Sequence, residues 1–211
     1  MNFVVDSWEG YHLKYQIEKN LTRQGYKKIA GVDEVGRGPL AGPVVACAVV
    51  LHKRITGLND SKKLSDRKRR ILFAQIMEKA DVTFKFVWPE EIDEINILEA
   101  TKKAMRHCIN SIDHDYVLID AVDLKIEKSQ SIIKGDELSA SIAAASIVAK
   151  VMRDNYMIKL DRKYPEYDFK NNKGYGTKKH LVALDKYGAI PKIHRYTFHP
   201  VSMVNQIKFD F

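Results

Sequence analysis

The sequence predicts an α/β fold: a mixed central sheet flanked by helices, with a small helical C-terminal portion. Three observations carry that prediction. Segments with strand periodicity alternate along the chain with segments of helical periodicity. The run Val44–Leu51 is continuous, apolar and rich in β-branched residues, which suits a strand buried on both faces. Residues 138–160 form a long helical stretch rich in small side chains (Ser141, Ala143, Ala144, Ala145, Ser146, Ala149), which lets a helix lie close against a sheet.

Taken in order, residues 7–24 have the pattern of an amphipathic helix with Trp8, Tyr11 and Tyr15 on one side, and Gly25 stops it. Residues 28–33 read as a strand, joined by a glycine-rich stretch, 36–42, to Val44–Leu51. Residues 57–65 are a polar loop, and Ser65 has the character of an N-cap for a helix over 66–80. Residues 82–87 alternate as a strand, and Pro89 opens a helical region to about Ile112. Tyr116–Asp120 is a short buried strand and residues 131–134 another. Residues 177–187 make the final helix, followed by an irregular basic segment. With no repeats and no obvious linker, three parts are expected: an N-terminal helical segment 1–26, a core 27–165, and a basic C-terminal helical portion and tail 166–211.

Composition narrows the function classes. The 211 residues suffice to bury a real core, and 45% hydrophobic with 29% charged residues excludes a disordered or fibrous chain. The longest apolar run, Val44–Leu51, is far short of the ~20 residues that span a bilayer. No basic-then-apolar leader opens the sequence, so neither membrane insertion nor secretion is expected. Lys and Arg number 35 against 27 Asp and Glu, a formal charge of +8, which favours a polyanionic partner, nucleic acid ahead of a membrane surface. Two cysteines, Cys47 and Cys108, have neither CxxC spacing nor a metal-spaced His, and read as buried thiols in a reducing cytoplasm.

The chemistry lies where acids interrupt apolar strands. Asp33 and Glu34 close the first strand, Asp120 closes Tyr116–Asp120, and Asp136 follows Ile132-Ile-Lys-Gly135. Any one of these alone reads as an ordinary strand-end acid. Three strand ends delivering four carboxylates would converge if the strands are neighbours, and such a cluster repels itself unless a hard cation neutralises it. Oxygen ligands without His or Cys select Mg²⁺ or Mn²⁺ over zinc. Two such ions ~4 Å apart suit phosphodiester hydrolysis. Adjacent residues on a regular strand point oppositely, so Asp33 and Glu34 share a site only where the strand bends, for which Gly36 gives an opportunity.

These residues carry a resemblance. Gly31-Val-Asp-Glu-Val-Gly-Arg-Gly-Pro-Leu-Ala-Gly-Pro-Val-Val45 is similar to the signature of ribonuclease HII, the type 2 ribonuclease H family. The similarity continues in Asn59-Asp-Ser-Lys-Lys-Leu-Ser65, Leu118-Ile-Asp120, Ile133-Lys-Gly-Asp136, Ser141-Ile-Ala-Ala-Ala-Ser-Ile-Val-Ala-Lys150, Gly174-Tyr-Gly-Thr-Lys178, His194-Arg195 and Phe198-His-Pro-Val201. It implies a ribonuclease H-like fold with a helical C-terminal part. It also implies cleavage of the RNA strand of RNA–DNA hybrids and incision 5′ to single ribonucleotides in duplex DNA, with two Mg²⁺ or Mn²⁺ ions, leaving 3′-hydroxyl and 5′-phosphate ends. By that resemblance Asp33, Glu34, Asp120 and Asp136 are catalytic metal ligands. Asp154, beside Lys150 and Arg153, competes for the fourth place but suits a salt bridge better.

Gly36-Arg37-Gly38 on its own is a turn between strands; by resemblance it senses the ribose, a task for which glycine admits close backbone approach. Tyr175 matches a tyrosine that stacks on the next sugar; read alone it is a loop aromatic. Two basic patches flank the acids: Lys62, Lys63, Arg67, Lys68, Arg69 and Arg70 in one, and seven Lys or Arg between Lys170 and His199 in the other. Ser61, Lys62, Ser146 and Lys178 resemble substrate contacts, whereas His180, Lys179 and Arg195 are read as supplying only field. No histidine receives a catalytic role. The tail 206–211, Gln206-Ile-Lys-Phe-Asp-Phe211, resembles short peptides that bind the bacterial sliding clamp, though it could equally pack on its own domain. A monomer is expected. Two rivals stand: ribonuclease HIII, against which Gly36-Arg37-Gly38 argues, and a non-catalytic hybrid-binding module, against which the four acids argue.

Overall fold

The computed structural model describes residues 14–207. Helix α1 (Gln16–Arg23) leads into strands β1 (Ile29–Val35) and β2 (Val44–Leu51). Helix α2 (Asp66–Lys79) runs directly into β3 (Ala80–Val87), followed by α3 (Pro89–Ile95) and α4 (Ile97–Asn110). Then come β4 (Tyr116–Asp120), β5 (Ser129–Ile132), the single-turn α5 (Gly135–Leu138) and the long α6 (Ala140–Lys163). The C-terminal portion holds α7 (Phe169–Asn172), α8 (Lys178–Tyr187) and α9 (Val201–Ile207).

The strands form one mixed sheet in the order β3-β2-β1-β4-β5. β1, β2 and β3 are an antiparallel meander, whereas β4 and β5 run parallel to β1. This is the predicted fold class. Side chains alternate between two cores. Ala30, Val32, Ala46 and Ala48 pack beneath α4 with Ala104, Met105 and Cys108. Val45, Cys47 and Val49 pack beneath α6 and α2 with Ala144, Ile147, Val148 and Ile76. Strand β2 is buried on both faces over Val44 to Val50, as its unbroken apolar run requires, and each large side chain so buried is worth ~1.5–3 kcal/mol. α6 approaches β1 so closely that a Cβ on Gly31 would collide with the backbone of Ser141 and Ile142, which explains the helix's run of small residues.

Several boundaries differ from the sequence expectation. Ser65 does cap α2, its hydroxyl accepting from Lys68 N at 3.3 Å. The helical region opened by Pro89 breaks at Asn96, whose positive φ of 66° and side-chain cap on Leu98 and Glu99 start a second helix. β5 lies two residues earlier than expected and ends because Lys134 enters the left-handed region (φ 56°). Asp136 therefore sits in α5 and not at a strand end. α8 is not the final helix: α9 follows, anchored by fully buried Val201 in the C-terminal core with Tyr167, Phe169 and Leu184. The expected helix before Gly25 lies outside the described residues over 7–13, as does the tail beyond Ile207. Among the described residues no helix is long and apolar enough to cross a membrane.

Candidate active site

The parallel pairing of β1 with β4 sets Val32 opposite Ile119, so Asp33 and Asp120 follow side by side on the same face, one step further along. Asp33 is buried, and its carboxylate accepts the Glu34 amide at 2.7 Å and a bond from Ser146 on α6. Burial, then the charges of Glu34 and Asp120, push its carboxyl well above the usual carboxylate range. Glu34 is raised as well, by burial and Asp120, with Arg37 opposing. β1 stays paired through Val35, so the bend at Gly36 (φ 96°) comes after both acids and not between them. The two carboxylates still interact across the strand. Arg37 Nη1 stands 3.5 Å from Glu34 Oε1, whereas Oε2 is buried without a hydrogen-bond partner among the described residues.

Asp120 accepts the Gly135 amide at 2.6 Å, which ties the end of β4 to the start of α5. Burial raises its carboxyl, against the pull of that amide and of Lys62. Asp136, one residue into α5, is raised to about 6 by burial and then by Asp60 and Asp120. Asp120 thus stands in electrostatic reach of each of the other three predicted acids. Among the described residues, no three His, Cys, Asp or Glu side chains are already gathered closely enough to hold an ion.

Two members were not foreseen. Asp60 is buried, shares a hydrogen bond with Asp136, and accepts the Lys62 amide at 2.8 Å. The sequence reading counted it only as an acid within a basic patch; the turn-forming Asn59-Asp-Ser was the available signal. Lys14 is buried too and donates to Asn59 Oδ1 at 3.3 Å; burial lowers its pKa against the pull of Asp136, Glu137 and Asp60. Lys62 faces the whole group: burial lowers its ammonium, but Asp60, Asp136, Asp33 and Asp120 together raise it overall.

The remaining predicted residues fall around this cluster. The hydroxyls of Ser61 and Ser146 meet at 2.9 Å beside Asp33. Gly36 has no room for a Cβ, which would strike the Arg153 guanidinium. A Cβ on Gly38 would lie 3.5 Å from the Tyr175 ring, so the loop and the half-exposed tyrosine are neighbours. Lys178 opens α8, exposed, with no hydrogen bond or ion pair to the acids among the described residues. Lys179 pairs with Asp168 at 3.2 Å and Asp154 with Lys150 at 2.7 Å.

His180 and Arg195 correct the sequence reading. They do not belong to a basic surface: both are fully buried, Arg195 donating to backbone carbonyls and His180 bonding the Tyr175 carbonyl and the His194 ring. A separate cavity of about 330 Å³, lined by Tyr15, Glu18, Arg23 and Ile29, lies at the opposite end of β1 from the acids.

Comparison with known proteins agrees with this architecture. A family model described as Ribonuclease HII matches residues 30–201. A Ribonuclease HII of Listeria monocytogenes is 53% identical over 201 residues, covering 92% of this chain and 76% of its own length. The ribonuclease H2 of Pyrococcus horikoshii OT3 superposes with a TM-score of 0.75 at 29% identity, over 88% of this chain and 100% of that one. An RNase HII of Archaeoglobus fulgidus, solved in a complex with PCNA, gives a TM-score of 0.72 at 28% identity over 82% of this chain and 95% of that one. The matched span runs from β1 to the start of α9 and takes in every acid and both loops of the site, so the chain belongs to the ribonuclease HII family, a family of nuclease hydrolases.

Proposed function

We propose that the chain hydrolyses the RNA strand of RNA–DNA hybrids and incises 5′ to single ribonucleotides embedded in duplex DNA. The observation that carries this reading is the placement of Asp33 and Asp120 one step beyond the paired Val32 and Ile119 of adjacent parallel strands, with Glu34 alongside and its Oε2 buried and unpartnered among the described residues. A buried carboxylate oxygen with no donor among the described residues, inside a group whose pKa values are raised by burial and then by neighbouring acids, fits a site completed by a hard cation. Asp33, Glu34, Asp120 and Asp136 would hold Mg²⁺ or Mn²⁺, and an all-oxygen donor set suits those ions. When bound, two such ions lower the pKa of water and offset charge at the scissile phosphodiester.

The chain's own residues do the rest. Lys62 neutralises part of the acid charge and faces the phosphate to be cut, and Ser61 and Ser146 orient each other and Asp33. Gly36, Arg37 and Gly38 read the 2′-hydroxyl at backbone range, and Tyr175, against Gly38, stacks on the following sugar. Lys178 contacts a backbone phosphate. The products carry 3′-hydroxyl and 5′-phosphate ends, and the activity serves removal of ribonucleotides during replication and repair.

The test is a duplex with one embedded ribonucleotide, incubated with Mg²⁺ or Mn²⁺. A single cut 5′ to the ribonucleotide is expected, and Asp33→Asn or Asp120→Asn lowers the rate by at least ~10²-fold, the scale for loss of a group that stabilises developing charge. Undiminished activity in either variant overturns the assignment, and equal cutting of an all-DNA duplex overturns the ribose reading.

The tail 206–211 docks on a sliding clamp through its apolar anchors; the PCNA complex of the archaeal relative supports a partner of that kind. Deleting residues 206–211 abolishes capture by an immobilised clamp and leaves cleavage of a short duplex unchanged. Capture that survives the deletion overturns this.

A further inference from the structure

The loop 36–43 is held from beneath by two buried arginines that form no ion pair among the described residues. Arg195 donates to Gly36 O at 2.6 Å, Arg37 O at 2.9 Å and Gly42 O at 2.8 Å. Arg153 donates to Pro43 O at 2.9 Å, Ala41 O at 3.1 Å and Lys173 O at 2.8 Å. Both side chains are 0% exposed. A buried charge is normally paired, and here only a fan of carbonyls solvates it.

The consequence follows from peptide geometry. In a trans peptide the C=O and the next residue's N–H point in opposite directions. When Arg195 draws the Gly36 and Arg37 carbonyls inward, the N–H groups of Arg37 and Gly38 are turned outward. Neither amide has a hydrogen-bond partner among the described residues. Two consecutive outward N–H groups backed by buried positive charge make a concave site for an oxygen acceptor.

The residue before Arg195 completes the arrangement. The Ile190 amide donates to His194 Nδ1 at 2.9 Å, which leaves the proton of His194 on Nε2. That N–H then donates to His180 Nε2 at 3.0 Å, and His180 Nδ1–H donates to Tyr175 O at 2.9 Å. Each imidazole is neutral with its tautomer fixed by its neighbour. Tyr175, whose ring lies against Gly38, is thus held by His194 through His180 while Arg195 holds the glycine loop.

We propose that the dipeptide His194-Arg195 is the positioning element for sugar discrimination: without touching substrate, it sets the aim of the Arg37 and Gly38 amides and of Tyr175. This deepens, and rests on, the reading of that loop as the ribose sensor. Lysine at 195 retains one charge but cannot fan to three carbonyls.

The test compares binding of two duplexes, one with a single ribonucleotide and one all-DNA, by fluorescence anisotropy in EDTA, for wild type, Arg195→Lys and His180→Gln. Thermal midpoints and Mn²⁺ titrations of the acid site run alongside. Wild type prefers the ribonucleotide duplex. In both variants that preference falls by about tenfold, the scale of one net hydrogen bond to a strongly polar group, while affinity for all-DNA duplex and for Mn²⁺ is retained. Equal weakening toward both duplexes, or an unchanged preference ratio, overturns the proposal and leaves the two residues merely structural. A variant that fails to fold is replaced by His194→Gln, which the same ratio judges. Absence of any preference in wild type overturns the ribose reading itself, and the proposal with it.

Discussion

Asp136 shows at the scale of one residue how function sets itself against stability. Its carboxyl, raised to about 6 by burial, Asp60 and Asp120, protonates more readily in the folded state than in the unfolded one, where the ordinary value is 3.8. Between those values the folded state holds a proton that the unfolded state has released, so this group's contribution to stability is lost as pH rises through the window. Asp136→Asn removes that loss. In the absence of divalent cations the variant melts a few degrees above wild type at pH 7.5 and the difference vanishes by pH 3.8; in a separate assay with Mg²⁺, its cleavage falls far below that of wild type. Melting curves at both pH values check the sign; a variant less stable at pH 7.5 refutes it. The acids themselves were legible, because a charge set within a hydrophobic strand stands out in any linear reading. Asp60 was not, since a carboxylate among six cations looks solvated until the fold turns it inward. Arg195 and His180 were misread for the converse reason: sequence records their charge and not the carbonyls that bury them.

At the scale of elements, the continuously apolar strands were the most readable parts, whereas β1 runs to Val35, two residues past its expected end. β2 and β4 match their predicted spans because an unbroken apolar run has only one place in a layered fold. β5 was displaced by two residues because three of its four members, Ser129, Gln130 and Ser131, are polar and at least partly exposed, and the left-handed turn at Lys134, not hydrophobicity, ends it. The contact of α6 with β1 makes a sharper demand. Gly31→Ala drives a methyl into the Ser141 backbone on the very helix that supplies Ser146 to Asp33. Overpacking of this kind costs ~1–3 kcal/mol or more, roughly 2–4 °C in thermal midpoint for each kcal/mol at this size. Calorimetry that finds no loss would show that the helix can retreat without cost.

For the whole molecule, the charge of +8 acts through its distribution. Lys62 faces the acids and Lys178 stands exposed at the start of α8, so the surplus positive charge attracts a polyanion at long range while repulsion from the acids stays local. Binding therefore weakens linearly on a log–log salt plot, with a slope near −0.9 for each phosphate neutralised, and Lys178→Ala lowers the magnitude of that slope by about one. A slope unchanged in the variant excludes Lys178 from phosphate contact. Net charge alone announced a polyanion, but the placement of the cations depended on which were buried, and that required the fold.

The tie between Arg195 and the Gly36 and Arg37 carbonyls joins positions 158 and 159 residues apart. During synthesis, the strands bearing Asp33 and Asp120 and the short helix bearing Asp136 leave the ribosome before Arg195 exists. At about 5–20 residues per second, the glycine loop waits roughly 10–30 s for the side chain that fixes its shape. A nascent chain, or one truncated ahead of Arg195, holds Asp33, Glu34, Asp120 and Asp136 with the Gly36 and Arg37 carbonyls still without their donor.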